Sequence, residues 1–295
     1  MRFTVLLNAA SGSGGAPEAA RQVEQQLEEA GHTAEVHLSR SGTELETLAR
    51  KAAKDRADAV LAGGGDGTIN TVAGVLADTD VPLGVLPLGT LNHFAKDLGI
   101  PLALADAVSV VLAGHTTAVD VGEVNGHVFL NNSSIGVYPR VLRLRERYQQ
   151  RGRSKWIAAF WAILAVLRRH SFMGVRVVAD GETIVRRTPF VFVGNNEYRM
   201  EGLSAGTRES LTDGRLSLYM MNASGRRSLL WLAWNVLIGR TRRLPELETR
   251  SMLEAEIETH RDDLQVALDG EVLKERGPLR YRIRPGALRV FIPPP

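Results

Sequence analysis

Four glycines crowd into five positions of Leu61-Ala62-Gly63-Gly64-Gly65-Asp66-Gly67-Thr68-Ile69-Asn70, between a run that reads as a strand and one that opens a helix. Backbone without side chains lets N–H groups approach a phosphate closely, and the helix N-terminus beyond adds a favourable dipole. Asp66 would repel phosphate directly, so its chemistry is that of a group acting through a cation or a water. A tight turn with Asp66 or Thr68 as N-cap needs one or two glycines, not four. The pattern favours a phosphate loop. A second strand end, Pro87-Leu88-Gly89-Thr90-Leu91-Asn92, follows one strand–helix unit later. Adjacent strand ends of a parallel sheet share a crevice, so both loops are expected to line one nucleotide site.

Other chemistries find less support. No Lys is followed by Ser or Thr, which excludes a Walker A loop. The cluster Gly12, Gly14, Gly15 lacks the third glycine of a dinucleotide fingerprint. Gly202-Leu203-Ser204-Ala205-Gly206 matches a nucleophile elbow, with Asp213 and His260 following in hydrolase order. That elbow needs a strand before it and a helix after it. Here polar Asn195-Asn196-Glu197 precedes and the Asp213-Gly214 turn closes the segment, so it reads as a coincidental Gly-rich loop. The 7 histidines form no H-E-x-x-H pair, and zero cysteines exclude disulfides, zinc-thiolate sites, iron–sulfur clusters and a thiol nucleophile.

The elements that must carry these loops alternate. Phe3–Asn8, Ala34–Leu38, Asp58–Ala62 and Leu83–Leu86 read as strands. Helical segments fall between them: one with Val23 and Leu27 and a Gly31 cap, then Leu45–Lys54 and Thr68–Leu76, with a short helix after Thr90. Repeated βα units imply a mainly parallel sheet covered on both faces. From about Val119 the rhythm changes. Asp120–Glu123, Val128–Asn131, Gly174–Ala179, Thr188–Val193, Leu216–Met221, Glu254–Glu258, Leu264–Leu268, Leu279–Ile283 and Leu288–Ile292 read as strands joined by turns. Helical segments near 154–169 and 226–240 interrupt them. A second, mostly antiparallel β domain follows, its last strands candidates to return to the first.

The chain has 295 residues, 44% of them hydrophobic, enough for one large or two medium domains. Its first 125 residues carry 8 Lys/Arg against 16 Asp/Glu, a balance of −8; residues 126–295 carry 28 against 17, or +11. The basic part is expected to meet something anionic. The N-terminus has too short an apolar run for a signal peptide, and the longest apolar run, Trp156 to Leu167, has 12 residues against the ~20 of a membrane span. A soluble, cytoplasmic protein is expected.

Together these motifs resemble the diacylglycerol-kinase-type lipid kinases, in particular their bacterial soluble members, over nearly the full chain. The resemblance rests on Asn8 with its Ser/Gly loop, Gly64-Gly65-Asp66-Gly67-Thr68, Pro87-Leu88-Gly89-Thr90-Leu91-Asn92, Asp120, Asp213-Gly214 and Asp269-Gly270-Glu271. It implies an N-terminal Rossmann-like α/β nucleotide-binding domain over 1–125, with 276–295 as the returning segment. It also implies a C-terminal β-sandwich lipid-substrate domain over 126–275, with the active site between the two. ATP contacts would come from Asn8, Ser39 (a Thr in most of the family), Gly64, Gly65, Asp66, Gly67, Thr68, Ile69, Asn70, Gly89 and Thr90. Glu271 matches the general base for the lipid hydroxyl, with Asp66 and Asp269 as further catalytic carboxylates. Asp213 matches a Mg²⁺ ligand, Ser210 and Arg215 would add backbone carbonyls, and Asp120 and Asp66 match acids near the catalytic metal. On sequence alone Asp269-Gly270-Glu271 is an ordinary hairpin turn; the resemblance reverses that. Three positions depart from the family: Ala9 replaces a Pro, His93 an Asp, and Tyr138-Pro139 an Asp-Ala.

All four tryptophans fall in two segments of one design. Trp156 and Trp161 sit between Arg151, Arg153, Lys155 and Arg168-Arg169; Trp231 and Trp234 sit between Arg226-Arg227 and Arg240, Arg242, Arg243. Apolar helices with Trp in the body and cations at both ends suit the headgroup region of an anionic membrane, here the inner membrane surface. The same residues would equally make core helices with solvated ends. The leading reading is an ATP- and Mg²⁺-dependent lipid kinase acting at a membrane surface, with no nucleic acid partner. An NAD kinase-like phosphotransferase on a soluble substrate and a non-catalytic anionic-lipid-binding protein remain the alternatives.

Overall fold

The computed structural model describes residues 1–9, 15–136, 172–201, 204–208, 210–221 and 247–294. Trp156, Trp161, Arg168, Arg169, Trp231, Trp234, both helical segments expected near 154–169 and 226–240, Tyr138-Pro139 and most of the Ser/Gly loop after Asn8 lie outside the described residues.

In chain order the elements begin β1 (Arg2–Asn8), α1 (Ala16–Glu29), β2 (Thr33–Ser39), α2 (Gly42–Lys54), β3 (Ala59–Gly64), α3 (Asp66–Leu76) and β4 (Leu83–Pro87). Then come α4 (His93–Asp97), α5 (Leu104–Ala113), β5 (Thr116–Val124), β6 (His127–Phe129) and β7 (Asn132–Gly136). Next are β8 (Met173–Ala179), β9 (Glu182–Thr188), β10 (Phe190–Asn195), β11 (Tyr198–Glu201), β12 (Ser204–Arg208) and β13 (Leu216–Met221). The series closes with β14 (Leu247–Met252), β15 (Glu254–Thr259), β16 (Asp263–Leu268), β17 (Glu271–Arg276) and β18 (Leu279–Phe291).

The chain divides into two compact units, the first made of Met1–Val121, His127–Leu130 and Arg284–Pro295, the second of Gly122–Gly126 and Asn131–Ile283. In the first unit β2, β1, β3 and β4 run parallel in that order, and the end of β18 adds parallel to β4 through Val290 opposite Leu83. All six residues of β3 are buried, as expected for a parallel strand covered on both faces. The helices cover it in pairs: α1 packs on α5, and α2 on α3. The buried stripe of α1, Ala19, Ala20, Val23 and Leu27, recurs at helical spacing, and Leu45, Ala49 and Ala52 do the same on α2. A Leu such as Leu27, fully buried, contributes roughly 1.5–3 kcal/mol. Ser41 caps α2, its Oγ accepting the Glu44 N–H at 3.2 Å.

In the second unit β14, β13, β10, β7, β16 and β17 form an antiparallel sheet in that order. The first part of β18 pairs antiparallel with β15, which continues to β8 and β9. Val191, Val193, Leu218 and Val266 of one sheet and Val175, Val177, Ile257 and Leu279 of the other are all buried. The Ser133 and Tyr281 hydroxyls meet at 2.9 Å. Burial pushes the Tyr281 phenol well above its ordinary value, so it stays protonated.

Several strand expectations change: of Val128–Asn131 only Val128 and Phe129 lie in β6, with β7 opening at Asn132, and Thr188 ends β9 while β10 begins at Phe190. Leu279–Ile283 and Leu288–Ile292 form one strand rather than two, because Pro285-Gly286 is not a turn. Gly286 takes φ +59 and its N–H reaches Asp120 Oδ1 at 2.8 Å, so the strand runs on through a local irregularity. Ser204 of the elbow-like motif opens strand β12, which pairs with β11. A nucleophile elbow would place that serine on a strand-to-helix turn.

Candidate active site

The parallel register brings four strand ends level. Asn8 stands opposite Ser39, Leu7 opposite Gly63, and Gly64 opposite Pro87. These are the carboxyl ends, where open α/β sheets bind ligands. Gly65 follows in extended backbone, and α3 begins at Asp66 with its N–H groups facing the same end.

Crowding requires glycine at some of these positions. A Cβ on Gly64 would fall 2.4 Å from Thr68 Oγ1 and 2.6 Å from Thr68 Cβ, whereas one on Gly63 would meet the movable end of Leu7 at 2.2 Å and one on Gly65 nothing closer than 3.8 Å. A Cβ on Gly89 would fall 2.5 Å from the Gly65 Cα, so the two glycine loops pass each other backbone against backbone. Asn92 holds the second loop in shape. Its Oδ1 accepts the Gly89 N–H at 3.0 Å and its Nδ2 donates to the Gly89 carbonyl at 2.9 Å, with Asn92 itself at φ +49. Asp66 Oδ1 accepts the Phe94 N–H at 3.4 Å, tying the first turn of α3 to that of α4. Asn8 Nδ2 donates to Thr68 Oγ1 at 3.1 Å, joining the end of β1 to α3.

The structure therefore brings Asn8, Gly64, Gly65, Asp66, Gly67, Thr68, Gly89 and exposed Thr90 to one end of one sheet. Ile69 and Asn70 differ. Ile69 is a buried core residue, and Asn70 Nδ2 donates to the Val128 carbonyl at 3.2 Å while its buried Oδ1 has no protein partner. Ser39 is 1% exposed and its Oγ donates to the Ser41 carbonyl at 2.7 Å, shaping the loop into α2. In the same unit buried Asp120 accepts the Gly286 N–H as described.

In the second unit Asp269 and Gly270 join β16 to β17 as a two-residue turn, both at positive φ (+47 and +93), with Leu268 opposite Glu271. This is the Asp-Gly hairpin the sequence signals. The turn also does more than reverse the chain. Asp269 Oδ1 accepts the N–H groups of Asn131 at 2.9 Å and Asn132 at 2.8 Å, and the Asp269 N–H donates to the Asn132 carbonyl at 3.0 Å. Glu271 opens β17 exposed to solvent.

Asp213 and Arg215 are exposed and Ser210 is half-buried. Ser210 Oγ accepts the Thr212 N–H at 3.1 Å, and the Arg215 carbonyl accepts the Asn196 N–H at 2.9 Å. Among the described residues no group of three or more His, Asp or Glu side chains converges on one point.

Sequence reasoning missed a buried polar cluster. Asn131, Asn195, Asn196 and Arg208 are 5%, 0%, 0% and 7% exposed. Asn195-Asn196 was legible only as polarity after a strand, and Arg208 carried no signal.

Two family profiles cover nearly the whole chain. The diacylglycerol kinase catalytic domain matches residues 2–124, and the YegS C-terminal NAD kinase beta sandwich-like domain matches residues 131–292. The chain belongs to the diacylglycerol kinase family. It is accordingly a kinase of the lipid-kinase branch, an enzyme that transfers phosphate to an alcohol. A diacylglycerol kinase of Mycobacterium tuberculosis is 29% identical over 99% of this chain and 95% of its own. One of Staphylococcus aureus is 27% identical over 83% of this chain and 78% of its own. A crystal structure of a diacylglycerol kinase from Bacillus anthracis superposes with a TM-score of 0.72 at 20% identity, over 99% of this chain and 97% of that one, a likeness of fold. Within this diacylglycerol kinase family member, Gly64–Thr68 and Pro87–Asn92 lie inside the catalytic-domain match, and Asp213 and Asp269–Glu271 inside the sandwich match.

Proposed function

We propose that the protein phosphorylates the hydroxyl of a diacylglycerol-like glycerolipid, using ATP and Mg²⁺, at the inner membrane surface of the cytoplasm. The observation that carries this reading is the backbone-to-backbone approach of Gly65 and Gly89 beside the N-terminus of α3, in a chain of the diacylglycerol kinase family. Backbone left bare at Gly64 and Gly89, where a Cβ would clash, suits phosphate oxygens, which need N–H groups at close range.

The residues fit the group expected there. Backbone of Gly64, Gly65, Gly67 and Gly89 and the first turn of α3 would hold the ATP phosphates. Asn8 and Thr68 would fix the loop's base. Asp66 would hold Mg²⁺ through its carboxylate, since Mg²⁺ in phosphate sites is bound by one or two carboxylates and the substrate's own oxygens. Asp213, with the Ser210 and Arg215 carbonyls, would hold a second Mg²⁺, an all-oxygen set appropriate to a hard cation. Bound Mg²⁺ supplies neutralisation of phosphate charge. Glu271, at the start of β17 and open to solvent, would accept the proton of the attacking lipid hydroxyl. Asp269 would hold the turn that presents Glu271. Trp156, Trp161, Trp231 and Trp234, with Arg168 and Arg169, would meet anionic lipid.

The NAD kinase-like alternative uses the same glycine loop but gives no role to cation-flanked Trp segments. Labelled ATP offered to lipid acceptors in mixed micelles, with NAD as competing acceptor, tests the reading.

A further inference from the structure

Arg208, at the end of β12, is a guanidinium 7% exposed. Burying that charge is costly unless its donors find acceptors. Its Nη2 donates to Asn131 Oδ1 at 3.0 Å, its Nη1 to the Asn195 carbonyl at 3.3 Å, and its Cζ lies 5.5 Å from the Tyr198 ring centroid. Tyr198 is fixed in turn: the Tyr219 hydroxyl accepts its N–H at 3.1 Å and donates to its carbonyl at 3.3 Å. Burial pushes the Tyr219 phenol upward, so it stays a donor.

Asn131 is where these bonds converge. Its side-chain oxygen takes Arg208, its carbonyl takes the Asn195 N–H at 2.9 Å, and its own N–H goes to Asp269 Oδ1 at 2.9 Å. Asp269 is two residues before Glu271, in a turn whose two central residues both hold positive φ. A buried fork therefore reaches the Glu271 turn in two steps, Arg208 to Asn131 and Asn131 to Asp269. Within that chain the geometry leaves little slack: every bond lies between 2.8 and 3.3 Å.

We propose that Arg208 is a positioning residue for Glu271, acting through Asn131 and Asp269 on the orientation of the base toward the lipid hydroxyl. The proposal rests on the reading of Glu271 as general base. It explains why a charged side chain is buried at the end of a short hairpin, where an apolar residue would pack at lower cost. The planar fork suits the task, because it donates to two acceptors in fixed directions; an ammonium cannot reproduce that.

Arg208→Lys keeps the charge and loses the fork. It is expected to lower kcat by roughly ten- to a hundredfold, as small misplacements of a reacting group do, with the KM for ATP within about twofold of native. The deciding measurement is the double-mutant cycle with Glu271→Gln. If Arg208 acts through Glu271, Arg208→Lys removes less than about twofold from the residual turnover of Glu271→Gln. Should Arg208→Lys fail to yield folded protein, Asn131→Ala breaks the same link from its other end and is expected to behave alike. Equal fold losses in native and Glu271→Gln backgrounds, or kcat unchanged in folded Arg208→Lys, would overturn the positioning role alone. A fully active Glu271→Gln would instead remove the base reading, and the positioning role with it.

Discussion

A Cβ added to Gly89 would fall 2.5 Å from the Cα of Gly65. The neighbour is backbone, not the end of a flexible side chain, so one loop must move. Gly89→Ala is expected to raise the KM for ATP by roughly tenfold or more while the sheet stays folded. An unchanged KM would separate the loop contact from nucleotide binding.

The Ser133–Tyr281 bond gives a prediction about stability. Both side chains are buried, and Tyr281→Phe leaves the Ser133 hydroxyl without that partner at 0% exposure. A loss of about 1–3 kcal/mol is expected, read as a melting temperature lower by several degrees. A melting temperature equal to native would show that the bond contributes nothing net.

Much of this architecture was legible in the sequence. The βα rhythm to residue 120 and the turn-linked strands beyond it follow from period and glycine placement, and Leu216–Met221 was bounded as the structure has it. What escaped has physical reasons. Strand β7 is Asn-Ser-Ser-Ile-Gly, whose buried serines give no apolar alternation. Edge strand β9 shows charges outward and little else, with only Ile184 and Thr188 buried. The glycine loop was readable because four glycines stand together in the sequence, and at Gly64 the fold leaves no room for a side chain. The cluster around Asn131 was not, because its residues meet from the chain just before β7, the end of β10 and the residue after it, the end of β12 and the β16–β17 turn, and nothing local marks a polar side chain that long-range pairing will bury.

Asp213 yields a metal prediction. With Asp213 as the proposed Mg²⁺ ligand, Asp213→Ala would take a hard oxygen from an exposed turn and is expected to raise the Mg²⁺ concentration needed for half-maximal activity. An unchanged Mg²⁺ dependence leaves Asp213 as the residue that opens the Asp213-Gly214 turn, with Gly214 at φ +65.

The basic Trp segments predict salt-sensitive binding to anionic vesicles with a blue shift of Trp fluorescence. Each cation near the surface contributes ~1 kcal/mol, so Arg168→Glu with Arg169→Glu should weaken binding while activity on a short-chain soluble acceptor survives. Binding that is absent, or indifferent to salt and to both charges, would assign these segments to the protein interior.

Two carboxylates can be separated by their conservative amides. Glu271→Gln should lower turnover by at least ~10²-fold with ATP binding near native. Asp66→Asn keeps an acceptor for the Phe94 N–H and removes the charge that would hold Mg²⁺; transfer should be lost with the melting curve preserved. Full activity in either variant would withdraw its assigned role.

Phosphoryl transfer to a lipid is the claim on which the rest depends. Native protein incubated with γ-labelled ATP, Mg²⁺ and a panel of glycerolipids in mixed micelles, with NAD present, should place the label on a lipid hydroxyl and none on NAD. Label on NAD alone, or no label on any acceptor, would contradict it.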